Sequence, residues 1–378
     1  MNRWKKKVGE IIAGEVEADA ATAKLLSAAA GIYGLGVRLR NTCYDRGLGR
    51  VRRLACPVVS IGNIAAGGTG KTPMAMYVAR TLQEMGYRPA VLSRGYKGAA
   101  EKDGAVVSNG RHLLCGPSVA GDEAFMMAAQ LPGIAVLVGG NRYQSGRRAV
   151  GELNADAMVL DDGFQHRRLY RDLDLVLLDA RKSPGNQYLL PRGILREPVT
   201  ALQRSHALVL TRSRDQNRAP AALRRRYPDK PIFCSNHRPY VAGIFDGAAP
   251  LPETVSPSRH GQDLAPVKNT RVYVFSGIAR NREFADMLEQ QGVDVAGRQA
   301  FSDHHRYSDS ELEAIASAAE SRAAQMIVTT EKDYVRIAGR LPARLPVAVV
   351  GVRITFCKED ASALLRWIRN GLTVETDA

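Results

Sequence analysis

The sequence predicts an α/β fold: a doubly wound, mostly parallel sheet, with a smaller α/β domain at its C-terminal end. Three observations predict it. Runs such as "PVVSIG", "RPAVLS", "IAVLVGG", "DAMVLDD", "DLDLVLLDA" and "HALVLT" are nearly continuous in Val, Leu and Ile, the pattern of strands covered on both faces. Helical segments over 73–85, 122–130 and 142–152 lie between several of these runs, as the crossovers of a parallel sheet require. A second alternation follows: "RVYVFSGI", a helix near 282–291, then "MIVTT" and "LPVAVVGVRI".

The bulk composition agrees. A chain of 378 residues with 45% apolar and 24% charged content has room for one large or two ordinary domains. Lys and Arg outnumber Asp and Glu by 53 to 38, a net charge of +15. That excess favours an anionic partner such as a phosphorylated substrate, anionic lipid or nucleic acid, or it is simply a solvated basic surface. No aromatic-interleaved basic run or helix-turn-helix pattern accompanies it, so nucleic acid is not expected. The five cysteines are scattered and never form a C-x-x-C pair. Their spacing argues against a disulfide framework or a cysteine zinc site and suits a reducing cytosol.

From the N-terminus, residues 1–50 read as a helical, membrane-associating segment. Basic residues come first, but no apolar core or cleavage site follows at once, so a signal peptide is not expected. Residues 25–37, "LLSAAAGIYGLGV", are apolar yet shorter than the ~20 residues of a spanning helix. Lys24 precedes them, and Arg38, Arg40, Arg46, Arg50, Arg52 and Arg53 follow. Such a helix can lie in a membrane interface with its cations at the headgroups, or pack on the protein's own core. Residues 51–235 read as a nucleotide-binding core, 236–270 as Pro- and polar-rich linker and loop, and 271–378 as the smaller domain closing over the site.

The strongest local signal is "SIGNIAAGGTGKTPMAMYVARTL", a strand, a glycine-rich turn and a helix in that order. This is the setting in which G-x-x-x-x-G-K-[ST] binds phosphate, although Ala65 stands where the pattern has its first glycine. Gly67, Gly68, Thr69 and Gly70 can turn backbone N–H groups onto phosphate oxygens at a helix N-terminus. Lys71 reaches for the β- and γ-phosphates and Thr72 offers its hydroxyl to Mg2+. The bend lost at Ala65 is expected to fall to Gly62 and Asn63. A loop of this kind, holding ATP, also needs a carboxylate at the end of a nearby strand. "DAMVLDDGFQH" supplies Asp161 and Asp162, which would hold the metal or orient a neighbour, or would merely cap a turn.

Seven segments in order carry a wider resemblance: "GNIAAGGTGKTP", "LSRGYKG", "GDEA", "LDDGFQHRRL", "LLPRGILREP", "FSDHH" and "TEKD". Together they resemble the tetraacyldisaccharide 4′-kinase family of lipid A biosynthesis, over roughly residues 20–355. The resemblance implies that ATP phosphorylates the 4′-hydroxyl of an acylated disaccharide 1-phosphate at the cytoplasmic face of the bacterial inner membrane, the protein being peripheral. No obligate protein partner is expected. The resemblance also accounts for Ala65, since that family's loop has no glycine at this position. Asn281 and Ala124 depart from it, since the family usually has proline near the first and at the second.

The same resemblance implies roles. Asp122 in "GDEA" is the candidate base and His304 of "FSDHH" its partner, with His305 as the alternative; read alone, "GDEA" is equally a helix cap. The pairing is expected to need two domains to meet over the site. Glu123 would support the substrate or the metal. Glu197 resembles an acid near the metal, Arg196 beside it could neutralise phosphate charge, and Arg94 is a contact for the anionic substrate or nucleotide. Each of these could instead be an ordinary ion pair. The rival reading is a membrane-associated nucleotide switch acting on a protein partner, but neither "TRSRD" nor "TEKD" has the [NT]-K-x-D spacing of a GTP reader.

Overall fold

The computed structural model describes residues 11–12, 16, 19–181, 188–213, 219–246, 249, 251–253, 255, 263–342 and 344–373. The basic opening residues 1–10, most of 247–262 in the linker segment, and residues 214–218, which include the end of "TRSRD", lie outside them.

In chain order the strands are β1 (Val58–Gly62), β2 (Pro89–Ser93), β3 (Ala105–Ser108), β4 (Ala135–Val138), β5 (Ala157–Asp161) and β6 (Leu173–Asp179). They continue with β7 (Ala207–Thr211), β8 (Ile232–Phe245), β9 (Arg271–Ser276), β10 (Asp294–Ala300), β11 (Met326–Thr330) and β12 (Val347–Phe356). The nine apolar runs named above all become strands. β3 and β10 were not expected. β10, "DVAGRQA", pairs with β9 and buries little of itself, so it carries no continuous apolar run.

The chain forms two compact units: Met1–Lys71 with Val159–Asn236 and Thr355–Ala378, and Thr72–Met158 with His237–Ile354. This interleaving differs from the serial division into 1–50, 51–235, 236–270 and 271–378. Parallel pairing brings distant segments side by side, so compactness need not follow chain order. Residues 236–245 of the expected linker are the second half of β8.

In the first unit β6 lies between β1 and β7, and β8 follows β7, all parallel, in registers that include Val59↔Leu173, Leu177↔Val209 and Leu208↔Ile232. Ile64, Phe164, Val176, Leu195, Leu202 and Leu208 pack into one core. Each such side chain contributes about 1.5–3 kcal/mol on burial. The C-terminal helix Lys358–Thr373 comes so close to β6 that a Cβ on Gly371 would lie 2.6 Å from Leu173.

The N-terminal helix is Ala20–Asp45, longer than the apolar core suggested, with Asp19 accepting from the Thr22 N–H as its cap. It is long and apolar enough to cross a membrane by length and composition. Its faces differ. Leu26, Ala30, Gly34 and Val37 are buried, while Leu25, Ile32, Leu35 and Leu39 are exposed, Ile32 by 76%.

In the second unit β4 pairs parallel with β2 and antiparallel with β3. Separately, β9 lies between β10 and β11, and β12 pairs with β11, all parallel. Phe275, Ile315, Ile327 and Val347 anchor one core there; Val274, Leu288, Val328 and Val350 anchor another. Helix Asp122–Gln130 starts at the expected residue, with Gly121 as its N-cap and both acids in its first turn. Helix Glu331–Ile337 starts as β11 ends, with Thr330 accepting from the Asp333 N–H.

Candidate active site

The phosphate loop follows β1. Gly67 and Gly70 have φ of +110° and +90°, conformations open to glycine, and nothing lies within 4 Å of where a Cβ on Gly67 or Gly68 would stand. Ala65 is explained by pairing. It forms an antiparallel bridge with Leu195, while the Ala66 N–H donates to Ile194 O at 2.6 Å and the Arg196 N–H to Ile64 O at 2.7 Å. The chain is therefore extended here, and no glycine turn is needed. Asn63 donates to the Thr69 hydroxyl at 2.9 Å, and Gln165 donates to Asn63 O at 2.8 Å. Gly62 does its work elsewhere: a Cβ there would strike Phe164 at 2.4 Å.

Of the paired acids, Asp161 ends β5 and is 3% exposed, while Asp162 turns the chain with φ of +56°. Arg196 donates to both Asp162 oxygens at 2.9 and 2.7 Å, and the Lys71 ammonium lies 3.7 Å from Oδ1. Lys71, Asp162 and Arg196 thus form one charged group at the loop. Glu197 is different. It is fully buried, with Arg204 on both of its oxygens, Asn41 donating at 2.9 Å and Arg40 in an ion pair at 3.3 Å. Burial alone would raise its pKa, but the Arg204 hydrogen bond and charge outweigh that and hold the carboxyl below the usual range.

Hard oxygen donors suit Mg2+, which takes one or two carboxylates and otherwise phosphates and water. Asp161 and Asp162, adjacent at the end of β5, offer such donors, and Thr72 offers a hydroxyl. Glu197 fits less well, since a metal would have to displace two arginines. Among the described residues no group of three or more His, Cys, Asp or Glu forms a ready cage.

The second unit holds the other cluster. His304 Nδ1 lies 3.1 Å from Asp122 Oδ2 across 182 positions of sequence. Both residues belong to the same compact unit, so their pairing does not wait on the meeting of two domains. His305 takes Glu311 instead, at 3.1 Å, with its ring stacked on Phe301. His304 has φ of +59°, a strained backbone for a non-glycine residue, and its ring meets Tyr96 edge-on at 5.5 Å.

Three glycines let "LSRGYKG" close on "GDEA". A Cβ on Gly98 would lie 2.5 Å from Val119 O, one on Gly121 2.7 Å from Tyr96 O, and one on Gly95 3.1 Å from Ala120 O. The functional sense of Arg94 is less direct: it pairs with Glu101 at 2.7 Å and is largely exposed. Glu123 is joined to Lys332. Asn281, where the family resemblance led to proline, accepts from Ser276 and from the Ile278 N–H and donates to Phe301 O, tying β9 to the "FSDHH" loop.

Sequence reasoning missed Arg336. Its Nε donates to Asp122 Oδ2 at 2.7 Å, and its two other nitrogens reach Asp333 at 2.9 Å, Gly277 O at 3.2 Å and His304 Nδ1 at 3.3 Å. Burial raises the Asp122 pKa, while the His304 hydrogen bond and the Arg336 charge lower it by more, leaving it below the usual carboxylate range. A signal was present: "TEKD" opens a helix, and Arg336 is one turn beyond Asp333 on the same face.

Glu331, the acid of "TEKD", accepts from Tyr240 and Gln130 at 2.8 Å each. Burial pushes its carboxyl up to about 7 despite those bonds.

The Tetraacyldisaccharide-1-P 4′-kinase (LpxK) family matches residues 22–372. A tetraacyldisaccharide 4′-kinase from Syntrophus aciditrophicus is 41% identical over 336 residues, covering 85% of this chain and 86% of its own. Another, from Geobacter sulfurreducens, is 40% identical over 331 residues, covering 86% and 89%. A crystal structure of LpxK from Aquifex aeolicus in complex with ATP superposes with a TM-score of 0.71 at 29% identity, over 93% of this chain and 99% of that one.

Proposed function

Because the chain belongs to the tetraacyldisaccharide 4′-kinase family, and is therefore a lipid A 4′-kinase that uses ATP, we propose that Asp122 is the base and His304 the group that orients it. The observation that carries this assignment is the 3.1 Å contact between them. A proton on Nδ1 of His304 would be donated to Asp122 Oδ2, fixing the ring and the carboxylate together.

In the transfer, the 4′-oxygen of the disaccharide 1-phosphate bonds to the γ-phosphorus as the bond to the β,γ-bridging oxygen breaks. ADP leaves, and the hydroxyl proton passes to Asp122. The loop N–H groups of residues 67–70 and the Lys71 ammonium hold the β- and γ-phosphates, and Arg196 is close enough to Lys71 and Asp162 to neutralise phosphate charge. Mg2+ bound by Thr72, Asp161 and Asp162 would supply charge neutralisation on those phosphates. Glu197 keeps Arg204 and Asn41 in place under the loop. Glu123 and Arg94 are available to the acylated, anionic acceptor if Lys332 and Glu101 give way.

The acceptor is a glycolipid, so we place the protein at the cytoplasmic face of the inner membrane as a peripheral enzyme. Exposed Leu25, Ile32, Leu35 and Leu39 would enter the interface, with Arg38 among them. The opposite face supports lying on the bilayer over crossing it: Tyr33 donates to Arg196 O at 2.9 Å and Asn41 is bonded to Glu197. A spanning helix would lose both bonds in hydrocarbon.

The test is transfer of labelled γ-phosphate from ATP to purified tetraacyldisaccharide 1-phosphate in detergent micelles. The full chain transfers label and Lys71→Ala does not. GTP hydrolysis with the acceptor untouched would replace the kinase by the nucleotide-switch reading.

A further inference from the structure

We propose that Arg336 is a positioning residue for the transfer reaction: it holds the Asp122 carboxylate by one oxygen and so leaves the other, Oδ1, to take the acceptor's proton. The inference rests on the reading of Asp122 as base and deepens it.

Both contacts on Asp122 converge on Oδ2, from His304 at 3.1 Å and from Arg336 Nε at 2.7 Å. Among the described residues no hydrogen bond reaches Oδ1. A carboxylate bound by one histidine alone can still rotate about its Cβ–Cγ bond; a second donor on the same oxygen, approaching from another helix, removes that freedom.

The guanidinium is itself fixed. Arg336 is 8% exposed at its side chain, and Asp333, fully buried, takes its other end at 2.9 Å. Asp333 is held in turn by Tyr307 at 2.9 Å, the Gly277 N–H at 3.0 Å and Thr330 at 2.6 Å. Gly277 also accepts from Arg336, and a Cβ there would lie 2.8 Å from the Tyr307 hydroxyl. The orienting chain runs from the core of the unit through Asp333 and Arg336 to the base.

Arg336 also constrains His304. A guanidinium only donates, so Nδ1 of His304 can accept from Arg336 or donate to Asp122, not both. The shorter contact is to Asp122. The charged groups in contact with Asp122 are Arg336 and His304; Arg336 is paired in turn with Asp333, His304 lies 4.0 Å from Asp303, and Glu123, next in sequence, is joined to Lys332. Tyr96 meets the His304 ring in a T-shaped contact. Arg336 keeps Asp122 ionised in acid at the expense of some basicity. Orientation makes up the difference.

The experiment measures kcat and KM for ATP against pH with the full chain, Mg-ATP and tetraacyldisaccharide 1-phosphate. Arg336→Met should lower kcat by about 10²-fold with KM for ATP little changed, and move the acidic limb of the kcat profile to higher pH. Arg336→Lys should restore much of the limb's position and only part of the rate, since a lysine keeps the charge without the fork. In an Asp122→Asn background, Arg336→Met should change the residual turnover by less than about threefold, because the base it orients is gone. Normal kcat in Arg336→Met, an unmoved acidic limb in both variants, or full additivity with Asp122→Asn would each overturn the inference. Failure of wild-type transfer, or normal turnover in Asp122→Asn, would instead overturn the reading of Asp122 beneath it.

Discussion

The phosphate loop and the Asp122 cluster are built by opposite means. The loop is sewn in place by main-chain hydrogen bonds to residues 194–196, and its working donors are N–H groups that never titrate. The Asp122 cluster is held by side chains from three separated segments, nearly all of them charged. Main-chain stitching makes a site tolerant of side-chain change and indifferent to pH. Side-chain ion pairing makes one whose geometry and protonation are the same variable.

The difference can be pressed hardest at the base. Asp122→Ala should lower turnover by about 10²–10⁴-fold while isothermal titration still finds ATP binding close to wild type. Joint loss of ATP binding would mean the two regions do not divide the labour as described.

A smaller effect is expected at Glu331, in the charged region but outside the base cluster. Its carboxyl goes from 4.5 in the ordinary range to about 7 in the folded chain. The folded state therefore binds the extra proton between those values, and this group's contribution is fully present below about 4.5 and lost as pH rises through 7, a change on the order of 3 kcal/mol. Glu331→Gln should flatten that part of the stability profile, read as Tm against pH. An unchanged slope would remove Glu331 as its source.

The smallest effect belongs to the stitched loop. Ala65→Gly should reduce stability by roughly 0.5–1 kcal/mol through chain entropy and leave kcat near wild type, because the extended pairing with Leu195 does not need glycine. A large gain in activity would show that a glycine bend is wanted there after all.

How much was legible in the sequence follows the same division. The loop is one contiguous stretch between a strand and a helix, so its residue types, spacing and setting could all be read together. The nine apolar strands were legible because burial on both faces leaves an uninterrupted run; polar, half-exposed β10 had no such signature. Asp122 and His304 could be named through the family resemblance, but no local pattern says that two residues 182 positions apart will touch. Arg336 was invisible for a plainer reason. An arginine one turn into a helix looks like any solvated charge until Asp122 and Asp333 are seen on either side of it. The interleaving of the units was hidden too, since composition changes mark linkers and not the partners that strands choose.

The tight contact of Gly98 and Gly121 with neighbouring main chain has a consequence for how this enzyme can drift and be rebuilt. Main chain touching main chain leaves no side-chain layer in which a change on one segment could be absorbed by a change on the other. The stretches around 95–98 and 119–122 must therefore be inherited, or transplanted, as a single block. A chimera that exchanges only one of them between relatives should lose its activity even where every functional side chain is kept.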